Sequence, residues 1–326
     1  MSNDQEKNPR ARMVQYGVWA NCSNQCDFCL RKERIPYSKQ KQLDMVNKIR
    51  ENINYIDWEN EFSSGISLLG GELYYITDPE LQSAFLELID DIIEKILKKS
   101  KNPRVRYSSV TNGIYEPTFL YKVVDKIKDA VGIEKVDMNF SYDLKYRYHD
   151  ENTAKLVIKN INDFHNRYQY KVNVQMILTQ YLINSWKEGK FDYNEFIEEN
   201  IPGNSLTFLY PHTIHTGNKL DDFFFKRSDF LEFVSYLKEA NSFGYVSFIL
   251  STFNSARFKY TGLRDRDENK VVKDIKAKPI LADGKEEINV ECGHSMLYRC
   301  YSDSDKCMLC DLYALDDEGY LSIEEK

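Results

Sequence analysis

Short apolar runs and amphipathic stretches alternate along this chain. The runs Met13 to Trp19, Ile66 to Leu69, Val105 to Val110, Val136 to Phe140, Val172 to Leu178, Leu206 to Tyr210 and Tyr245 to Leu250 have the length and β-rich composition of strands. Between them, apolar residues recur at helical spacing in Leu43 to Ile56, Thr118 to Val131, Thr153 to Tyr168, Tyr193 to Glu199 and Ser228 to Ala240. Another helix is predicted to open at Asp78-Pro79 and to run through Leu81, Phe85, Leu88, Ile92 and Ile96. Aspartate is a preferred N-cap, and proline is tolerated at the first helical position because the N–H there has no intrahelical partner.

Strands that alternate with helices predict βαβ units around a parallel sheet. Six units follow one another, and the pattern fades beyond residue 255. The charged, weakly periodic stretch Tyr260 to Glu287 reads as a connector to a cysteine-rich tail.

Composition narrows the class. Apolar residues are 42% and charged residues 29%, which is ordinary for a chain that buries a core in water. A net charge of −7 argues against a basic nucleic-acid coat. The basic residues Lys95, Lys98, Lys99, Lys101, Arg104 and Arg106 end a helix and enter a strand, so they read as a solvated face away from the strand ends. No apolar run approaches the roughly 18–20 residues of a membrane span. Met1 to Arg12 is polar, with no apolar core of a signal peptide, so a cytoplasmic protein with a flexible N-terminus over 1–12 is expected.

The cysteines carry the chemistry. There are seven, an odd number, in a chain with no sign of export, which disfavours a disulfide framework. They fall in two groups: Cys22, Cys26 and Cys29, then Cys292, Cys300, Cys307 and Cys310. Clustered thiols in a reducing compartment point to metal. The first group supplies three thiolates, one short of a closed zinc or cubane shell, so an open coordination position is implied.

In parallel α/β architectures the chemistry sits at the C-terminal ends of strands. Cys22-x3-Cys26-x2-Cys29 follows the first predicted strand, Gly70-Gly71-Glu72 the second, Thr111-Asn112-Gly113 the third and Ser141-Tyr142-Asp143 the fourth. Each motif alone has a plain structural reading: a turn for the glycines, a helix cap for Ser141-Tyr142-Asp143. Four on one rim are a pattern.

The segment Asn21 to Cys29 resembles the signature of the radical S-adenosylmethionine (radical SAM) enzymes, with Phe28 in the aromatic position before the last cysteine. The resemblance covers roughly residues 13 to 215. It implies an α/β fold, a partial (β/α)6 TIM-like barrel over 13–255, with a small C-terminal metal-binding extension over 256–326. It implies that Cys22, Cys26 and Cys29 hold a [4Fe-4S] cluster whose remaining iron is chelated by S-adenosylmethionine. One electron then cleaves the sulfonium to a 5′-deoxyadenosyl radical, which abstracts hydrogen from a substrate. The same resemblance gives Gly70, Gly71 and Glu72 to the methionine ammonium, Ser141 and Asp143 to the ribose and carboxylate, Thr111 and Asn112 to the cofactor or substrate, and Phe28 to the cofactor site. A carboxylate and closely approaching glycine backbone suit an ammonium. Two departures stand out: Leu73 follows the acid where the family often has proline, and Val172 to Tyr181 lacks the glycine pattern that frames the adenine. Leu209-Tyr210-Pro211 lies where it could pack beside that adenine.

The tail resembles, in position and cysteine density, the SPASM and twitch extensions of that family, without the seven-cysteine SPASM pattern. Cys292, Cys300, Cys307 and Cys310 suffice for one site, a second [4Fe-4S] cluster or a structural zinc, with His294 as a substitute ligand. The resemblance further implies a small electron donor such as flavodoxin or ferredoxin. Extensions of this kind lean toward a peptide or protein substrate, although no peptide-docking domain is seen before the first strand. A nucleoside or other small molecule is the alternative. A non-catalytic iron–sulfur or zinc scaffold is the reading from another class. His212 and His215 are expected at the barrel mouth, His149 and His165 in solvent, and Phe223-Phe224-Phe225 in core packing.

Overall fold

The structure, a computed structural model, describes residues 12–19, 21, 22, 24, 26–29, 36–54, 63–148, 150–209 and 227–240. Its centre is a six-stranded sheet: β1 (Arg12–Gly17), β2 (Ser63–Leu69), β3 (Arg106–Thr111), β4 (Val136–Tyr142), β5 (Asn173–Ile177) and β6 (Ser205–Leu209). The strands lie in chain order, every neighbouring pair is parallel, and β1 does not pair with β6. Parallel neighbours in chain order need a crossover of one hand at every step. The result is the open (β/α)6 arrangement of a partial barrel.

The crossovers are α1 (Lys39–Ile53), α2 (Pro79–Ile92), α3 (Thr118–Val131), α4 (Glu151–Tyr168), and the pair α5 (Gln180–Lys187) and α6 (Tyr193–Asn200); α7 (Arg227–Glu239) follows β6. The expected cap of α2 is present, with Asp78 Oδ1 accepting from Leu81 N at 3.0 Å and Pro79 behind it. The pattern past Ile92 leaves the α-helix for a π turn, Ile93–Leu97. The extra residue per turn keeps Ile92, Ile93, Ile96 and Leu97 all buried. The sequence pattern did not predict α5, whose short run carries Tyr, Leu, Ile and Trp; Thr179 starts it by accepting from Leu182 N at 3.2 Å.

Alternation along the strands separates two faces. Tyr16, Ile66, Leu68, Tyr107, Val136, Met138, Phe140, Val174, Met176, Leu206 and Phe208 are buried in one apolar core together with the helices. Trp19, Phe85 and Phe119 continue it, with ring centroids 5.7 Å and 5.9 Å apart in the Trp19–Phe85 and Phe85–Phe119 pairs. The intervening positions form the inner face, which is polar, with Ser67, Ser108, Asn139, Ser141, Asn173, Gln175 and Thr207.

The basic residues before β3 behave as a surface: Lys95 pairs with Asp91 at 2.8 Å and Lys98 with Glu94 at 2.6 Å. His165 differs from its expected place in solvent. It is half-buried, with Nδ1 3.2 Å from Tyr170 O, because α4 ends against the turn before β5. No described helix is long and apolar enough to cross a membrane. The predicted strand Tyr245 to Leu250, His149, Tyr210, Pro211, His212, His215, Phe223-Phe224-Phe225, the extension 256–326, His294, Cys292, Cys300, Cys307 and Cys310 lie outside the described residues.

Candidate active site at the strand ends

Because every strand is parallel, all six C-terminal ends lie on one rim. The thiol segment leaves β1 there, and the β1 and β2 backbones stay paired beyond the sheet. Val18 N donates to Leu69 O, Gly71 N to Trp19 O and Glu72 N to Asn21 O, at 2.7, 2.7 and 2.8 Å. Gly70 is required by this approach, since a Cβ there would lie 2.4 Å from Leu73 Cδ2 and 3.1 Å from Trp19 O. The Gly-Gly pair thus zips the second strand end to the start of the cysteine loop.

Glu72 comes next and turns inward. It is 2% exposed. Its carboxylate accepts from Asn112 N at 2.7 Å, Tyr115 OH at 3.0 Å, Thr111 Oγ1 at 3.1 Å and Tyr74 N at 3.2 Å. Burial raises its pKa to about 6 against the opposing pull of these donors. The resemblance assigns this group to a ligand ammonium; here its oxygens tie the β2 and β3 loops together.

The same network aims Asn112. With its backbone N–H held by Glu72, Asn112 extends Nδ2 to Cys22 Sγ at 3.5 Å. The loop around it turns at Gly113, whose φ of +66° is natural only for glycine. Asn160, from the middle of α4, holds that turn by donating Nδ2 to Gly113 O at 2.8 Å and Tyr115 O at 2.9 Å. Neither Tyr115 nor Asn160 stood out in the sequence, because a mid-helix asparagine reads as polar surface until the loop it serves is placed.

The β4 end is the platform for the other side of the cysteine loop. Asp143, 3% exposed, accepts at Oδ1 from Lys145 N at 2.9 Å and Tyr146 N at 2.6 Å. This turn presents carbonyls to the thiol segment: Tyr146 O accepts from Asp27 N at 2.9 Å and Arg147 O from Asn24 Nδ2 at 3.0 Å. Cys26, Phe28, Tyr146 and Ile177 form a small apolar cluster separate from the main core, with Cys29 and Tyr181 against it. Burial raises the Asp143 carboxyl, with those N–H groups pulling against it.

Arg147 is a further residue that sequence reading missed. Its guanidinium carbon sits 5.2 Å from the Phe28 ring centroid, and Nη1 lies 3.6 Å from Cys26 Sγ. Its Nε is buried and has no hydrogen-bond partner among the described residues. Only the neighbouring arginine after a polar triplet could have signalled it, and surface arginines are common.

The three thiols differ in surroundings. Cys26 is 4% exposed, Cys29 half-buried and Cys22 exposed as a residue. Burial pushes the Cys26 thiol up to about 11, with Arg147 opposing, and also raises Cys22. Nitrogen donors nevertheless converge on the sulfurs. Asn24 Nδ2 lies 3.2 Å from Cys26 Sγ and Asn24 N 3.4 Å from Cys22 Sγ, besides the contacts from Asn112 and Arg147. Among the described residues, no three His, Cys, Asp or Glu side chains gather at one metal-ion position. A donor shell of N–H groups around sulfur suits thiolates that carry a larger anionic cluster, since such bonds stabilise the charged form.

The remaining site residues fall into place around this loop. Ser141 is on the inner face of β4 near the rim, and Thr111 donates to Glu72 beside Asn112.

A crystal structure of methylornithine synthase (PylB) is similar in arrangement, with a TM-score of 0.45 and 15% sequence identity over 71% of this chain and 62% of that one. The chain therefore spans less than two thirds of the length of that protein. No protein-family model matches the sequence. No curated protein matches it either.

Proposed function

We propose that this chain is a radical S-adenosylmethionine enzyme. The observation that carries the reading is the three-cysteine loop on the strand-end rim, with N–H donors from Asn24, Asn112 and Arg147 directed at Cys22 and Cys26. The thiols of Cys22, Cys26 and Cys29 would hold a [4Fe-4S] cluster. When bound, that cluster supplies the electron that cleaves S-adenosylmethionine to a 5′-deoxyadenosyl radical.

The residues of the chain have separable tasks in this reading. Arg147 and the two asparagines favour the deprotonated sulfurs needed for metal binding. Phe28, Tyr146 and Ile177 keep water from Cys26. Phe28, Gly70, Gly71, Glu72, Thr111, Asn112, Ser141 and Asp143 would line the S-adenosylmethionine site, and Glu72 also fixes the loop that carries Thr111 and Asn112. The substrate is a peptide or protein, with a nucleoside or other small molecule as the alternative. The extension over 256–326 would hold a second [4Fe-4S] cluster or a zinc through Cys292, Cys300, Cys307 and Cys310. A flavodoxin- or ferredoxin-type protein would supply electrons.

The test uses anaerobically reconstituted full chain. Iron and zinc are counted, and 5′-deoxyadenosine is measured after reduction, for the wild type and Cys26→Ala. About eight irons with product that depends on Cys26 is the expected result for two clusters; about four irons with one zinc makes the tail structural. Bound iron without product turns the reading into a scaffold, and no bound iron overturns it.

A further inference from the structure

The inner face of the sheet carries a chain of amide and hydroxyl groups that the loop chemistry does not use. It begins on β6, where Thr207 Oγ1 donates to Asn173 Oδ1 at 3.1 Å and Ser205 Oγ approaches the same oxygen at 3.4 Å. Asn173, on β5, then donates Nδ2 to Asn139 Oδ1 on β4 at 2.9 Å. Gln175 Nε2 donates to that oxygen as well, at 3.0 Å. Strand register makes this possible, since Asn139 is opposite Asn173 and Ser141 opposite Gln175.

Each group in the chain has one polarity satisfied by its neighbour. What is left over is specific. Asn139 has both lone-pair positions of its carbonyl taken, and its Nδ2 has no partner among the described residues, although the residue is only 7% exposed. Gln175 has an amide N–H engaged, and its Oε1 has no partner among the described residues. Asn139 Nδ2 is not sealed from solvent, so a ligand can reach it, and a chain of amides polarised toward its end strengthens the terminal donor. Two open groups, one donor and one acceptor, flank a single oxygen of Asn139.

We infer that Asn139 and Gln175 form a binding subsite for a carboxamide group. The ligand carbonyl accepts from Asn139 Nδ2, and the ligand N–H donates to Gln175 Oε1. A carboxylate would set an oxygen against Gln175 Oε1, and an ammonium would set donors against Asn139 Nδ2, so the subsite selects a neutral group. Calling the ligand the substrate rests on the proposed radical chemistry, because Gln175 lies opposite Ser141 and Asn139 one inner-face position below it; amide binding itself does not.

The probe is N-acetylglycinamide, with N-acetylglycinate as its charged counterpart, followed by saturation-transfer NMR on the anaerobic full chain. Asn139→Asp is the informative variant: an aspartate retains an acceptor for Asn173 and Gln175 but offers no donor. Gln175→Met removes the other half, and thermal melts establish that each variant is folded. The expected result is an amide signal about tenfold above that of the carboxylate in the wild type, and its loss in either variant. Equal signals from the two probes, no signal from either, or an unchanged amide signal in folded Asn139→Asp would overturn the assignment. Amide binding without 5′-deoxyadenosine formation would keep the subsite and remove the radical reading; product formation without amide binding would do the reverse.

Discussion

Arg147 Nη1 lies 3.6 Å from Cys26 Sγ, and the carbon of the same guanidinium lies 5.2 Å from the centroid of the Phe28 ring. A cation in that place offsets part of the burial that disfavours the thiolate, and it would also favour the more reduced, more anionic state of the cluster proposed above. Arg147→Gln is therefore expected to lower the midpoint potential of the reconstituted cluster by on the order of 50 mV. Potentiometric titration followed by electron paramagnetic resonance reads this directly. An unchanged potential would mean that Arg147 only packs.

Glu72 gives a pH signature. Its pKa is raised from 4.5 to about 6 in the folded chain, so between these values the native state holds a proton that the unfolded state releases. Stability from this group is present at low pH and declines as pH rises through about 6. The wild type minus Glu72→Gln stability difference should fall by about 2 kcal/mol between pH 4 and pH 7. Denaturant melts of both proteins at the two pH values measure it, and a flat difference would count against a buried carboxylate.

Asn160→Ala removes both donors from the carbonyls of Gly113 and Tyr115. Two buried carbonyls lose their partners, and a loss of about 2–4 kcal/mol is expected. Because that turn carries Asn112, the exchange protection of the Gly113 and Ile114 amides should fall as well. Hydrogen exchange resolves the local effect from global destabilisation.

Gly65 sits in β2 at φ +138°, and a Cβ there would fall 1.9 Å from Arg106 O on the neighbouring strand. No side-chain rearrangement relieves contact with backbone. Gly65→Ala should cost about 3 kcal/mol or more, or abolish folding. A chemical melt close to wild type would show that β2 and β3 can separate at this edge.

How much of this was legible beforehand varies with the range of the interaction. The period-2 runs and their helical partners are local signals, so all six described strands and the capped start of α2 could be read from the chain. Parallel order followed, because a strand that is succeeded by a helix must cross over. That placed Cys22, Gly70, Thr111 and Asp143 at strand ends before any contact was known. The short helix α5 escaped because its apolar residues equally suit a strand, and tertiary packing settled the matter.

What surrounds each motif was decided only by folding. The resemblance gives Glu72 to a ligand ammonium, and the β3 loop closes over it and supplies donors from residues 39 to 43 positions away. Arg147 meets Cys26 across 121 positions, and Asn139 meets Asn173 across a strand boundary. Such pairings arise from register and rim geometry, which no window of sequence contains. Residue types and spacing therefore determined the strand order and placed the three-cysteine loop at the strand ends, while the three-dimensional packing of loops between strands decided which side chains surround it.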